Sequence, residues 1–260
     1  MKYLVSSVVV VALLLGSSYG ARAQTGITLL APGPMRAPLD KLIAGFESKT
    51  GDKVKVTYGA GSRDTAPYGT RQLVARGGAL DVSIMFAPFP AALSSGNIVP
   101  NTATTLAGIV LGVSVKKGAP KPDISTPAAV KRMLLEAKSV TIVDPAQGTL
   151  GGEAMDVLKK LGIAEQLQPK LKIVEGSQVS EAMLAKGEAD VFLGPQVSDK
   201  LADGVDLVGA LPRSVSTPVS AVGFVSSKAK DPKAAKALLQ YLKSSEAEAA
   251  YKAAGMQPAH

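Results

Sequence analysis

Ile27-Thr28-Leu29-Leu30-Ala31-Pro32-Gly33-Pro34-Met35-Arg36 joins a short apolar run to a Pro/Gly turn, and a helical pattern follows directly. The run predicts a strand over Ile27–Ala31. Leu39, Leu42, Ile43 and Phe46 predict one apolar face of a helix over Pro38–Lys49. A loop that runs from a strand end into a helix start presents unpaired backbone N–H groups at the positive end of the helix dipole. Such a place suits an anion. Upstream stand Lys2, an apolar core from Leu4 to Leu15, and Ala21-Arg22-Ala23. This is the pattern of a secretory leader over residues 1–23, cleaved near Ala23, with a core too short to anchor in a bilayer. The expectation is an exported, periplasmic protein with no stable membrane insertion and a site-forming loop near its mature N-terminus.

The same alternation continues down the chain. Strands are expected at Asp52–Tyr58, Asp81–Phe86, Ser139–Val143, Lys172–Val174 and Asp190–Leu193, with longer β runs at Ala107–Val115 and Val219–Val225. Helices are expected at Thr70–Arg76, Thr126–Glu136, Gly151–Leu161, Val179–Lys186, Pro232–Leu242 and Ser244–Tyr251. Pro127 and Pro232 sit where proline opens a helix, and Gly162 where glycine closes one. Repeated βα units at this spacing predict an α/β fold with mainly parallel sheets.

Composition removes several chemistries. Cysteine is absent, so there are neither disulfides nor thiolate metal sites, and the single histidine is the last residue, His260. Histidine-based zinc sites and Ser-His-Asp triads are thereby excluded, and no metal or cofactor is expected. Net charge is +8, and +6 once Lys2 and Arg22 leave with the leader. The basic residues are scattered and aromatics make up only 4%, so a nucleic-acid surface is not expected. No heptad repeat or sticky strand stands out, so a monomer is expected.

Six pieces in order carry a resemblance. They are Ile27–Met35; Phe46-Glu-Ser-Lys-Thr-Gly-Asp-Lys-Val54; Tyr58-Gly-Ala-Gly-Ser62; Gly78-Ala-Leu-Asp-Val82; Asp144-Pro145 followed by Gly151-Gly152; and Gly187-Glu-Ala-Asp-Val191. Together they resemble the two-lobed periplasmic solute-binding proteins, type 2, and within them the molybdate-binding group. The resemblance implies two α/β lobes, each with a mixed, mainly parallel sheet. Residues 24–108 plus 222–260 would form lobe 1 and residues 109–221 lobe 2, with Ala107–Val115 and Val219–Val225 crossing between them. A ligand would sit in the interlobe cleft, which closes by a hinge.

Four loops then become candidate ligand contacts. In the first, molybdate binders carry a serine where this chain has Pro34, which offers neither N–H nor hydroxyl. Met35 belongs to the same loop, and Arg36 either clamps a carboxylate with its fork or is a solvated surface arginine. In the second, Ser62 keeps the family's hydroxyl position and Arg63 adds a further fork, the competing reading being a turn that faces water. Tyr68 follows, with core packing as its alternative. In the third, Thr149, Gly151 and Gly152 open a helix, while Asp144-Pro145 fits simple turn chemistry. In the fourth, molybdate binders tend to carry a tyrosine and this chain has Pro195-Gln196; Gln196 either bonds the ligand or caps a turn.

The departures at Pro34 and in the fourth loop, with arginines nearby, lead away from molybdate and toward a small organic anion, a di- or tricarboxylate. The leading expectation is a carrier that hands such an anion to an inner-membrane ABC permease. The second is an isomerase on the same scaffold, because aconitate isomerases are similar in sequence to this family. That chemistry needs a general base, for which Tyr68 and Asp144 are weak candidates. The third is a molybdate or related oxyanion binder with a rebuilt first loop.

Overall fold

β1 (Gly26–Pro32) is buried on both faces, as its unbroken Ile-Thr-Leu-Leu-Ala run requires. It lies between two strands, pairing in parallel with β2 (Lys53–Gly59) and β3 (Val82–Phe86). α1 (Arg36–Thr50) follows β1 and buries Leu39, Leu42, Ile43 and Phe46, one stripe at helical spacing. It stops at Gly51, whose φ of 78° only glycine adopts cheaply and whose N–H bonds the Glu47 carbonyl at 2.9 Å. β2 is an edge strand, and Lys53 and Lys55 occupy its exposed face, which discourages pairing with another chain.

The computed structural model describes residues 26–59, 70–146, 149–196 and 202–259. The leader at 1–23 and the candidates Ser62, Arg63 and Tyr68 lie outside the described residues. The remaining elements are α2 (Thr70–Ala75), α3 (Pro90–Ser94), β4 (Thr104–Ile109), β5 (Leu111–Lys116), α4 (Pro127–Glu136), β6 (Val140–Val143), α5 (Thr149–Lys160), α6 (Ala164–Leu167), β7 (Leu171–Val174), α7 (Ser177–Lys186), β8 (Val191–Pro195), β9 (Val205–Ala210), β10 (Val219–Val225), α8 (Pro232–Tyr241), α9 (Ser245–Ala253) and β11 (Gln257–Pro258).

They build two mixed sheets, ordered β11-β4-β10-β3-β1-β2 and β7-β6-β8-β5-β9. The βα repeats supply the parallel pairs of β1 with β2 and β3, and of β6 with β7 and β8. Pairing is antiparallel wherever β4, β5, β10 or β11 takes part. The β run expected at Ala107–Val115 is two strands. It breaks at Val110, so that β4 belongs to the first sheet and β5 to the second. The return runs through residues 211–218, and β10 then lies wholly in the first sheet. Sequence reading misses β9, whose Asp206 and the glycines at 204 and 209 weaken its apolar signal, and also the short α3, α6 and β11.

Buried side chains pack as one cluster through the crossing, from Ile27, Leu29 and Phe46 on one side to Val140, Leu158 and Leu193 on the other. Tyr251 is fully buried within it, and its hydroxyl donates to the Leu242 carbonyl at 3.0 Å. Helix starts are capped locally. Thr126 Oγ1 accepts from Ala129 N, Ser244 Oγ from Ala247 N, and Asp231 Oδ1 from Lys233 N and Ala234 N at 2.9 and 3.0 Å. Asp231→Ala is expected to cost about 1 kcal/mol, the usual worth of such a cap, read as a lower midpoint in urea with an unchanged slope. Among the described residues, no helix is long and apolar enough to cross a membrane.

Candidate functional site

α2 opens with Thr70 and Arg71, both buried, and the Arg71 side chain leaves the first sheet's side of the molecule to reach the second. Its Nη2 donates to Oγ1 of Thr149, the first residue of α5. Arg71 is 8% exposed, and a guanidinium is expensive to bury unless acceptors surround it, so this position is specified by what it holds.

Around this contact lies a cavity of about 430 Å³. The first sheet contributes Arg71, the β3 exit at Ala87 and Pro88, and the β10 entry at Pro218, Val219 and Ser220. The second contributes Thr149, Gly152, Glu153 and Asp156, at positions i, i+3, i+4 and i+7 of α5, a single helix face. Ser216 Oγ donates to Glu153 Oε1 at 3.2 Å, so the segment returning between the sheets also holds one wall. Asp156 pairs with Lys159 at 3.1 Å. The cavity therefore sits between the two sheets, at the end of β6 where α5 starts. Crevices outside strand carboxyl ends are where open α/β sheets bind ligands.

A larger hollow of about 560 Å³ opens elsewhere, lined by Lys116, Asp123, Arg132, Glu136 and Asp190 among others. It lies at the end of β5 and the start of β8, at the opposite end of the second sheet's strands from the cleft. Its charges already answer one another, as Arg132 and Asp123 do at 3.7 Å. Size favours this hollow, but position and the buried arginine favour the cleft.

The sequence candidates are placed as follows. Thr149 and Gly152 line the cleft. Gly151 is buried on the other side of the helix start. A Cβ there would lie 2.4 Å from the Val143 carbonyl oxygen and 2.8 Å from that of Asp144, so glycine lets α5 seat against β6. Asp144 closes its own turn, Oδ1 accepting from Ala146 N at 2.6 Å. Met35 is fully buried in the core, and Pro34 is half-buried beside it. Arg36 lies over the Tyr58 ring at 4.1 Å, and the Tyr58 hydroxyl donates to Asp40 Oδ1 at 2.6 Å. Burial first, and the Asp40 carboxylate second, push the Tyr58 phenol well above its ordinary pKa, so it stays a neutral donor. Gln196 donates its backbone N–H to the Val110 carbonyl at 2.9 Å, at the crossing between the sheets, and its side-chain oxygen is buried with no hydrogen-bond partner among the described residues. Among the described residues, no group of three acidic or histidine side chains is placed to hold a metal ion.

Of the charged residues lining the cleft, Arg71, Glu153 and Asp156 are not among the sequence candidates. Arg71 lies inside the first turn of a helix rather than in a loop, and its signal is a charged residue at that position soon after Gly59-Ala-Gly-Ser62. Glu153 is Thr149 plus four, on the same helix face as that candidate.

Comparison with known proteins agrees with this architecture. An aconitate isomerase from a Pseudomonas species is 29% identical over 250 residues, covering 95% of this chain and 94% of the relative. The molybdate-binding protein ModA of Rhodobacter capsulatus is 30% identical over 242 residues, 91% of this chain and 89% of the relative. The structure of the Azotobacter vinelandii periplasmic molybdate-binding protein superposes with a TM-score of 0.70 over 90% of this chain and all of that one, and at 18% identity this speaks for the fold alone. Residues 27–257 match the bacterial extracellular solute-binding protein family, and with most of the chain accounted for, it belongs to that family.

Proposed function

We propose that this protein is a periplasmic binding protein for a small organic carboxylate, a di- or tricarboxylate rather than molybdate. The two lobes, joined at Val110 and through residues 211–218, close on the ligand, and a membrane ABC permease receives it. The observation that carries this reading is the buried Arg71 guanidinium bonded to Thr149 across the cleft. A planar fork beside a hydroxyl and a helix N-terminus matches the two oxygens of a carboxylate. Tetrahedral oxyanion sites of this scaffold rely instead on neutral donors, and Pro34 supplies none. Titration calorimetry of residues 24–260 with citrate, trans-aconitate, malate and molybdate tests the reading. Micromolar binding of at least one carboxylate, with molybdate silent, is the expected result; micromolar binding of molybdate alone would overturn it.

A second reading has its own observation. Glu153 sets a carboxylate in the same cleft as Arg71, and an isomerase of aconitate needs one base beside its anion-holding groups. The base would take a proton from one carbon of the allylic system and return it to the other. The similarity to an aconitate isomerase supports this alternative. It requires that trans-aconitate be consumed in an absorbance assay and that Glu153→Gln abolish turnover while leaving binding. Tight binding without turnover removes it.

A further inference from the structure

The described lining of the cleft is electrically two-ended. One end holds Arg71, Thr149 and the first turn of α5, all favouring a negative group. One helical turn on stands Glu153, with Cβ atoms at this spacing about 5–6 Å apart. Among the described residues its carboxylate accepts only from the Ser216 hydroxyl, at 3.2 Å. Asp156, a further turn along, is already answered by Lys159. A ligand carboxylate placed against Glu153 would meet a like charge in a confined space, which disfavours both ionised forms. A hydroxyl placed there would donate to Glu153, a hydrogen bond of the stronger, charge-assisted kind.

From this we infer that the ligand is a hydroxycarboxylate: a carboxylate seated on Arg71 and Thr149, with an alcohol hydroxyl one helical turn away donating to Glu153. The inference rests on the carboxylate reading above and narrows its ligand class. It also gives Glu153 a binding role in place of the catalytic one.

Matched pairs differing only by the hydroxyl test it on the mature wild-type protein: citrate against propane-1,2,3-tricarboxylate, and malate against succinate, by titration calorimetry. The hydroxyl-bearing member of at least one pair is expected to bind on the order of tenfold to a hundredfold tighter, the worth of one hydrogen bond to a charged acceptor. In Glu153→Ala the preference should shrink to about twofold or less, while the deoxy acid keeps its affinity or gains, because a like charge has gone. Equal affinities within both wild-type pairs would overturn the hydroxyl assignment and leave the carboxylate reading standing. Aspartate binding more tightly than malate would overturn it too, assigning an ammonium group to Glu153 instead. Turnover of trans-aconitate lost in Glu153→Gln would replace it with the catalytic role. Molybdate binding with every acid silent would remove the carboxylate reading itself.

Discussion

Arg71→Ala is expected to weaken carboxylate binding at least about a hundredfold, or roughly 3 kcal/mol, the cost of truncating one partner of a buried, hydrogen-bonded charge pair. The side chain is 8% exposed and spans from α2 to α5, so neither solvent nor a neighbouring lysine can stand in for it. Arg71→Lys keeps the charge and loses the fork; it should recover part of the affinity and none of the bidentate geometry. Thr149→Val isolates the hydroxyl at nearly constant volume and is expected to cost on the order of tenfold, as one hydrogen bond to a charged group does. Calorimetry reads all three, with thermal unfolding run alongside to show that each variant is folded. Wild-type affinity in a folded Arg71→Ala protein would mean that the ligand sits elsewhere.

The second large effect concerns stability. Asp81 is 3% exposed, and each of its oxygens is engaged: Oδ2 accepts from the Thr28 amide at 2.8 Å and the Thr28 hydroxyl at 2.7 Å, and Oδ1 from Lys230 N at 2.7 Å. Its backbone carbonyl also accepts from Ser226 N at 2.9 Å. One carboxylate thus ties β1, the entry to β3 and the segment between β10 and α8. Asp81→Ala takes the carboxylate acceptor from three part-buried donors, Thr28 N, Thr28 Oγ1 and Lys230 N, and is expected to cost about 3 kcal/mol in urea unfolding at neutral pH. Asp81→Asn, which keeps one acceptor, should cost less. The pH dependence follows from direction. Burial raises the Asp81 pKa, but the hydrogen bonds from Thr28 and Lys230 outweigh it, and the folded-state pKa is lowered. A carboxyl depressed in the folded state contributes its stability above its unfolded pKa, roughly 3.9, and loses it as pH falls through the folded value. The gap between wild type and Asp81→Asn should therefore be full at pH 7 and narrow progressively below about pH 4. A gap constant down to pH 2 would show that Asp81 titrates alike in both states.

The placement of these two residues shows what kind of information each level holds. Asp81 lies in the Gly78-Ala-Leu-Asp-Val82 turn, which sequence pattern marks, yet its partners Thr28 and Lys230 are 53 and 149 residues away. Met35 reads by sequence as a loop residue because it follows Pro-Gly-Pro, and it is core because the chain turns inward where α1 starts. Arg36 fits either a carboxylate clamp or a solvated surface arginine by sequence; it is exposed and lies over the Tyr58 ring, because the first turn of α1 faces β2.

Near-neighbour chemistry was enough to establish the α/β alternation, the strand–turn–helix start at Ile27–Arg36, the helix starts at Pro127 and Pro232, and the lack of any thiolate. These depend on apolar period, on the fixed backbone of proline, and on composition, all of which are local. The composition of the cleft is not local. Arg71 meets Thr149 across 78 residues, and Glu153 meets Ser216 across 63. Which arginine faces inward follows from how two sheets, joined at Val110 and again through residues 211–218, lie against each other. That arrangement is settled by burying a common core, a free energy summed over the whole chain and written in no single segment of it.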